Sequence, residues 1–219
     1  MPVPPRVIAI DGPAGSGKST VARAVAKRLN LPYLDTGAMY RAVAFAALRR
    51  GIDPEDVAPV AELAREVDLS VGDEVVVDGV DATIEIRGPE VTRAVSAVAA
   101  NPAVREELVV RQREWVADHG GGVVEGRDIG TVVFPSAALK VYLTADDSER
   151  ASRRSKEMLD LHYDQVAADI ARRDHVDSTR PASPLTVAED AIRIDTTGRP
   201  VDAVVDEVLA LAARHQVDT

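Results

Sequence analysis

The sequence predicts an α/β fold in which helices flank a parallel β-sheet. Short apolar runs rich in β-branched residues, such as "RVIAID" at residues 6–11, alternate with longer segments whose apolar residues recur at helical spacing. Such runs are typical of buried strands, and the longer segments of amphipathic helices. Strands and helices that alternate along a chain form parallel sheets. A chain of 219 residues, 46% of them hydrophobic, is long enough to bury a sizeable core.

The composition narrows the classes of partner. The sequence contains no cysteine, which excludes disulfides and thiolate metal sites, and its net charge of −10 argues against binding along a nucleic acid backbone. We find no apolar run long enough to span a bilayer and no secretory signal pattern. We therefore expect a cytoplasmic protein that binds neither membranes nor nucleic acid polymers. Because no long exposed apolar face is evident, we also expect a monomer.

The first strand leads into a glycine-rich loop and then a helix. Residues 12–19, "GPAGSGKS", fit the motif G-x-x-x-x-G-K-[ST] at every fixed position, and the helix that follows ends near Asn30 and Pro32. In this setting the backbone N–H groups of the loop form an anion nest, to which the helix adds its positive end. A glycine-rich turn that binds nothing is the competing interpretation, and the complete motif argues against it.

We expect this loop to bind the triphosphate of ATP, with Lys18 on the β- and γ-phosphates and the hydroxyl of Ser19 as a ligand of Mg²⁺. The sequence lacks the guanine-reading motif N-K-x-D, which weakens the interpretation as a GTPase switch. The residues assigned to the donor site are Gly12, Pro13, Ala14, Gly15, Ser16, Gly17, Lys18, Ser19 and Thr20.

The rest of the chain continues the alternation, with two exceptions. Residues 67–87 alternate apolar and polar side chains around a "VDGVD" turn, which predicts a small antiparallel sheet, and residues 150–180 are rich in arginine. Strands are predicted at 31–35, within 120–128, at 139–145 and at 191–195. Helices are predicted at 42–50, 90–100, 104–118, 147–174 and 201–214.

A second group of anion-binding residues lies outside the phosphate loop. "DTGAMYR" at residues 35–41 follows a predicted strand, which brings Thr36 and Arg41 near the mouth of the loop. Arg41 taken alone is equally well an ordinary exposed helix residue. This number of cationic groups favours a small-molecule kinase over a switch or a motor. The further arginines are Arg105, Arg127, Arg150, Arg153, Arg154, Arg173 and Arg180.

On these residues the chain resembles the bacterial cytidylate kinases, a family of nucleoside monophosphate kinases, along nearly its whole length. The phosphate loop is shared with a whole superfamily, whereas the further motifs in the right order are specific to this family. The matching stretches are "IDGPAGSGKST", "LDTGAMYRAVA", "EIRGPEVTRAVSAVAANPAVRE", "EGRDIGTVVFPSA", "KVYLTA", "ERASRR" and "RRDHVDSTRPASPL". The resemblance implies transfer of the γ-phosphoryl group of ATP to CMP or dCMP, with Mg²⁺.

The resemblance also implies how the chain divides into a P-loop kinase core and two mobile lobes. The core would comprise residues 1–40, 101–149 and 184–219, with its parallel sheet flanked by helices. The nucleoside-monophosphate-binding lobe would cover 41–100, with the antiparallel insert at about 67–87. A helical lid would cover 150–183.

Residue roles come from the same resemblance. The equivalents of Thr36, Arg41, Arg127 and Arg180 lie around the acceptor phosphate in the family. Ser96, Arg105 and Asp128 match residues that read the base, and Arg173 and Asp177 match residues near the sugar. The expected catalytic residues are Lys18, Arg127 and the lid arginines Arg150, Arg153 and Arg154.

The assignment of Asp128 agrees with the chemistry of cytosine. A carboxylate accepts a hydrogen bond from the amino group at N4, whereas uracil would present a carbonyl to it. A salt bridge from Asp128 to its neighbour Arg127 is the alternative that the sequence leaves open. For the lid, we expect at least one of the three arginines to pair with Asp147, Glu149 or Glu157 on a solvated helix face.

Two other functions stay open on the sequence. The first is the same chemistry on another acceptor, such as UMP, AMP or shikimate, although the long 41–100 segment argues against the compact shikimate type. The second is a nucleotide-dependent switch without transfer activity. The second constellation of arginines argues against a switch, which has no need of a site for a free monophosphate.

Overall fold

The structure is a computed structural model that describes residues 6–157, 163–180, 182–215 and 217, and it confirms the predicted α/β class. The strands are β1 (Arg6–Asp11), β2 (Tyr33–Asp35), β3 (Leu69–Val71), β4 (Val75–Val77), β5 (Val80–Asp81), β6 (Gly121–Gly126), β7 (Leu139–Thr144) and β8 (Ile192–Asp195). The helices are α1 (Lys18–Leu29), α2 (Thr36–Arg49), α3 (Val57–Glu66), α4 (Pro89–Ala100), α5 (Pro102–His119), α6 (Asp147–Glu157), α7 (Tyr163–Thr179) and α8 (Val201–Arg214).

The chain folds into two compact units. The first comprises Met1–Tyr33 and Val116–Thr219, and the second comprises Leu34–Trp115. The predicted lobe at 41–100 falls within the second unit, and the predicted lid at 150–183 within the first. The finer division into core, lobe and lid stays a prediction.

The main sheet has the strand order β2-β6-β1-β7-β8, and the pairings of β1 with β6, of β1 with β7 and of β7 with β8 are parallel. Its apolar side chains, such as Ile8, Ile10 and Leu143, pack against Val25 of α1 and Val208 of α8. The central strand β1 carries the phosphate loop at its carboxyl end, in register with the ends of its two neighbours. Residues that follow β1 and β6 therefore meet at one edge of the sheet.

The second helix begins earlier than predicted. It starts at Thr36 instead of residue 42, because Asp35 is its N-cap and accepts a hydrogen bond from the Ala38 N–H at 3.0 Å. "DTGAMYR" is therefore mostly helical. Helix α3 was not predicted. It contains Pro59, but this residue lies in the first turn, where proline is tolerated in a helix.

The predicted antiparallel insert forms in the second unit, but its last part is not a strand. Strands β3, β4 and β5 pair antiparallel, and the turn before β5 has positive φ at Asp78 and Gly79, as a tight hairpin requires. The prediction of a second long run through residue 87 was wrong. The Thr83 hydroxyl group accepts from the Val75 N–H at 2.9 Å and donates to Asp81, and a 3₁₀ turn follows at Glu85–Arg87.

Candidate active site

The phosphate loop between β1 and α1 is shaped by glycines that no other residue could replace without strain. Gly12 has φ +149°, and a Cβ atom there would lie 2.1 Å from the carbonyl oxygen of Leu143. At Gly15, with φ +75°, a Cβ atom would lie 2.8 Å from the carbonyl oxygen of Arg150. The loop therefore runs in close contact with the end of β7 and with α6, as only a chain without side chains at these points allows.

Lys18 is the first residue of α1 and is buried against the loop. Its ammonium group donates a hydrogen bond to the carbonyl oxygen of Pro13 at 2.8 Å. Burial, and next the nearby charge of Arg127, lower the pKa of Lys18 to about 7, while Glu125 and Asp11 act in the opposite direction. An anion placed beside this ammonium group favours its charged form.

Ser19 faces a carboxylate that the sequence analysis missed. Its hydroxyl group donates to Oε2 of Glu125 at 2.9 Å, and the phenol of Tyr33 donates to Oε1. Glu125 is buried in β6, next to the end of the strand that adjoins β1. An acidic residue near the carboxyl end of a buried strand, two positions before a predicted site arginine, was the available signal.

Asp177 on α7 joins two of the predicted site arginines. Its carboxylate accepts from Nε of Arg127 at 3.0 Å and lies 3.4 Å from Nη1 of Arg180. Burial alone would raise the pKa of Asp177, but the guanidinium groups of Arg127, Arg180 and Arg173 lower it. The structure thus brings these four predicted residues together in one buried cluster of the first unit. Burial, and next the charge of Arg127, lower the pKa of Arg173 to about 10.

Asp128, at the end of β6, belongs to the same cluster. Its Oδ1 lies 3.7 Å from Nη2 of Arg180, whereas Arg127 pairs with Asp177. The side chain of Asp128 is buried, and the residue lies directly before a π-helical turn at Ile129–Val133 that the sequence analysis did not predict. Asp128 therefore lies beside the guanidinium group of Arg180 within this cluster.

Arg150 on α6 connects the helices of the predicted lid with the phosphate loop. Its guanidinium group donates to the Ala14 carbonyl oxygen at 2.9 Å, to Asp147 at 2.6 Å and to Asp174 of α7. Asp174 in turn accepts from the Ala14 N–H at 3.1 Å. The pairing with Asp147 confirms that a lid arginine finds an acidic neighbour, but Arg150 is buried and not on a solvated face.

A second lid arginine, Arg153, also has an acidic partner. Its guanidinium group donates to the carbonyl oxygen of Thr196 at 2.7 Å and to the Thr196 hydroxyl oxygen at 2.8 Å, and its Nε donates to Glu149 at 3.0 Å. Arg154 lies half-buried on the same helix, and the side chain of Glu157, the third expected partner, lies outside the described residues. A catalytic role for these arginines stays a prediction.

The remaining predicted residues lie in the second unit. Arg41 of α2 is buried and donates to the Ile86 carbonyl oxygen at 3.0 Å and to the Thr92 hydroxyl at 2.9 Å, and Thr36 is buried at the start of the same helix. The interpretation of Arg41 as an exposed helix residue was therefore wrong, because the side chain turns towards the 3₁₀ turn and α4.

Arg105 is buried in the first turn of α5. It donates to the Ala99 carbonyl oxygen at 3.2 Å, and its guanidinium carbon lies 5.3 Å from the centre of the Tyr40 ring. Ser96 is half-buried on α4, which packs against α2. That these residues join the cluster around Arg127 in one site stays a prediction.

Two kinds of structure are absent from the described part of the chain. None of its helices is both long and apolar enough to cross a membrane. Nor do its histidine and acidic side chains form a group of three that could bind a metal ion by themselves.

Comparison with known proteins gives one consistent family. The family model described as cytidylate kinase matches residues 8–214. The chain is 52% identical to the cytidylate kinase of Desulforamulus reducens over 212 residues, which are 93% of this chain and 95% of that protein. It is 50% identical to the cytidylate kinase of Mycobacterium leprae over 214 residues, which are 95% of this chain and 96% of that protein.

Solved structures of lower sequence identity share the fold. A gluconokinase from Sinorhizobium meliloti has a TM-score of 0.51 at 17% identity, with 96% of this chain and 93% of that chain covered. The protein TT1252 from Thermus thermophilus has a TM-score of 0.51 at 20% identity, with 95% of this chain and 97% of that chain covered. These similarities support a P-loop kinase fold.

Proposed function

The chain belongs to the cytidylate kinase family, and from that premise we propose that it transfers the γ-phosphoryl group of ATP to CMP or dCMP. The products are ADP and CDP or dCDP. The observation that carries the proposal is the glycine-built phosphate loop with its buried Lys18, whose ammonium group donates to the Pro13 carbonyl oxygen at 2.8 Å and whose pKa is lowered by burial and next by the charge of Arg127. A phosphoryl group bound beside these two cations would relieve their mutual repulsion, as transfer between two phosphates requires.

The donor half of the site is the phosphate loop. Its backbone N–H groups and the ammonium group of Lys18 would bind the triphosphate of ATP. Apart from Lys18 and Ser19, the loop residues from Gly12 to Thr20 would act mainly through their backbone, and Gly12 and Gly15 let the loop pack against the carbonyl oxygens of Leu143 and Arg150. Lys18 supplies the positive charge that the transferring group needs.

The residues also fit Mg²⁺, the usual partner of ATP. The hydroxyl oxygen of Ser19 and the carboxylate of Glu125 lie in hydrogen-bonding contact, and both are oxygen donors of the kind that Mg²⁺ prefers. Mg²⁺ bound there would neutralise charge on the β- and γ-phosphates. Glu125 would hold the ion directly or through its water, and Tyr33 fixes the orientation of that carboxylate.

The acceptor half of the site is the cluster around Asp177. Arg127 and Arg180, with Thr36 and Arg41 of the second unit, would bind the phosphate of CMP. Asp128, Ser96 and Arg105 would read the base, and Arg173 and Asp177 would contact the sugar. Asp128 accepts from the amino group of cytosine and discriminates against uracil, which has a carbonyl oxygen at that point.

The mechanism is one of positioning and charge neutralisation. The two substrates are polyanions, so cations on both sides reduce their repulsion and hold the attacking oxygen in line. A monophosphate oxygen is already a sufficient nucleophile, so no general base is needed. The arginines Arg150, Arg153 and Arg154 would close over the transferring group and keep water out, which limits hydrolysis of ATP.

A cytoplasmic location and a monomeric state remain predictions of the sequence.

The function is tested by measuring ADP formation with ATP, Mg²⁺ and each of CMP, dCMP, UMP and AMP. We expect kcat/KM for CMP or dCMP to exceed that for UMP by about tenfold or more, because a buried acceptor–acceptor mismatch costs about 1–3 kcal/mol. Detection of CDP by anion-exchange chromatography confirms the transfer. Hydrolysis of ATP that no acceptor stimulates would instead favour the switch, and a preference for UMP or AMP would favour another acceptor.

Asp128→Ala is expected to lower kcat/KM for CMP by about 10–100-fold while changing that for UMP much less. The reason is that only cytosine loses a hydrogen bond to the carboxylate. Steady-state rates with both acceptors at saturating ATP measure the effect, and Asp202→Ala, an exposed aspartate of α8, is the control. Equal losses with both acceptors would argue against reading of the base by Asp128.

Glu125→Gln is expected to raise the Mg²⁺ concentration for half-maximal rate by about tenfold or more. The amide keeps the shape of the side chain but removes the negative charge, and it points a donor at one of the two hydroxyl groups that now donate to Glu125. Titration of the rate with Mg²⁺ at fixed ATP measures this, with the exposed Glu189→Gln as the control. An unchanged Mg²⁺ requirement would exclude Glu125 from the metal site.

A further inference from the structure

A buried carboxylate connects the phosphate loop with the segment that carries Asp128. Asp11 is the last residue of β1 and immediately precedes Gly12. Its Oδ1 accepts a hydrogen bond from the N–H of Ile129 at 2.9 Å, and its Oδ2 accepts from the N–H of Gly130 at 2.8 Å. Both oxygens are thus committed to one short segment, residues 126–130, which we call the acceptor loop.

These two bonds fix the acceptor loop at its least regular point. A π-helical turn begins at Ile129, and the first N–H groups of any helical turn have no partner within the turn. Asp11 supplies the missing acceptors from another strand. Directly before this turn lies Asp128, whose backbone has the non-regular angles φ −140° and ψ 23°. The direction of the Asp128 side chain therefore depends on where the turn is anchored.

The anchoring leaves little room for adjustment. A Cβ atom added to Gly130 would lie 3.1 Å from the side chain of Lys140 and 3.4 Å from Oδ2 of Asp11. The register of the sheet adds a second constraint, because Asp11 pairs with Gly126 at the other end of the acceptor loop. Asp11 therefore contributes to holding both ends of the five-residue segment that includes Arg127 and Asp128.

The environment of Asp11 is costly for a charged group, which supports a role beyond packing. Burial raises its pKa to about 6, against the lowering effect of the two N–H groups and of Lys18, and the charge of Asp128 raises it further. A carboxylate under such constraints is typical of functional sites.

We propose that Asp11 is a positioning residue for base recognition: by holding the N–H groups of Ile129 and Gly130, it aims Asp128 at the base of the acceptor nucleotide. The inference rests on the proposed function, since it assigns Asp11 to the acceptor side of that reaction. In this role Asp11 also links the acceptor loop to the phosphate loop. It directly precedes Gly12 in the chain, and its side chain bonds the N–H groups of Ile129 and Gly130.

Asp11→Asn in the full chain is the first test. The amide keeps one acceptor oxygen but turns an NH₂ group towards the second N–H, so the acceptor loop must shift. At saturating ATP we expect KM for the preferred monophosphate to rise about tenfold and its kcat/KM preference over the disfavoured pyrimidine monophosphate to fall about tenfold. The KM for ATP is expected to change by less than about twofold. A role in stability alone would lower the active fraction for all acceptors equally and leave both KM and preference unchanged.

A double-mutant cycle shows whether Asp11 acts through Asp128. In the Asp128→Ala background, Asp11→Asn is expected to have no further effect on acceptor preference, because the group that it positions is gone. Additive losses of preference would overturn the proposal. If Asp11→Asn does not fold, Asp11→Glu carries the same test, since its longer side chain keeps the charge but cannot place both oxygens on the N–H groups of Ile129 and Gly130 without a shift of the acceptor loop; an unchanged preference in that variant would overturn the proposal too.

The experiment separates this inference from the proposed function. A wild-type protein that transfers no phosphoryl group to CMP, dCMP, UMP or AMP contradicts the proposed function. A wild-type protein that does so with a clear preference, which Asp11→Asn leaves intact, contradicts the assignment of Asp11 alone.

Discussion

Lys18→Ala is expected to lower kcat by about 10³-fold, because the transferring phosphoryl group loses the one ammonium charge built into the phosphate loop. The fold is expected to survive. Lys18 is buried and its pKa is lowered by that burial, so its charge costs stability in the absence of an anion, and alanine removes this cost. Steady-state rates with CMP and thermal unfolding of the same preparation measure the two effects.

Lys27→Ala is the matched control, since Lys27 lies exposed in the last turn of the same helix. It is expected to retain full activity. A kcat of Lys18→Ala that stays within about tenfold of the wild-type kcat would contradict the donor-site assignment. A Lys18→Ala protein that is unfolded would instead contradict the stability argument and leave the rate loss without a catalytic explanation.

Arg127→Ala is expected to lower kcat/KM for the acceptor by about 10³-fold, comparable to the loss of an arginine that stabilises a phosphoryl-transfer transition state. The charge of Arg127 lowers the pKa of both Lys18 and Asp177, and its Nε donates to Asp177 at 3.0 Å. Its loss also leaves the buried carboxylate of Asp177 with one partner fewer. Initial rates over a range of acceptor concentrations measure kcat and KM separately.

Arg127→Lys separates charge from geometry. It keeps a positive charge but not the fixed orientation given by the bond from Nε to Asp177, so we expect an intermediate loss of about 10–100-fold. Arg172→Ala is the control, because its ion pair with Asp169 is exposed and such pairs contribute little. An acceptor kcat/KM that stays within about threefold in Arg127→Ala would exclude this residue from the reaction.

The elements that the sequence predicted correctly are those whose signals are local. Strand β1 and helices α1 and α8 are bounded by prolines, glycines or Asn30 and have regular apolar patterns. Helix α2 was predicted to start too late because the Asp35 cap was overlooked. The strand predicted through residue 87 failed because one threonine hydroxyl takes the place of ladder hydrogen bonds, which no alternation of side chains reveals.

For the candidate site, the sequence identified the cations and some of their acidic neighbours, such as Asp177 and Asp147, but it missed three other carboxylates. Lys18 and the arginines follow from motifs, since phosphate chemistry requires them. The carboxylates of Glu125, Asp174 and Asp11 are not part of that requirement, and only the fold brings them to the site. Glu125 meets the Ser19 hydroxyl group across 106 residues, and Asp11 meets the Ile129 N–H group across 118. Pairings at that distance along the chain depend on tertiary packing, which local patterns do not encode.

The contact of Asp174 with the phosphate loop has a consequence for turnover. One oxygen of this carboxylate accepts from the Ala14 N–H and the other from Arg150, so an internal competitor holds donors that a phosphate oxygen would otherwise use. On the proposed function, a nucleotide phosphate that binds these donors would have to displace Asp174, so that binding would exchange one anion for another. The carboxylate could bind the donors again when the product leaves, and we therefore expect Asp174 to lower the affinity for nucleotide and to favour turnover.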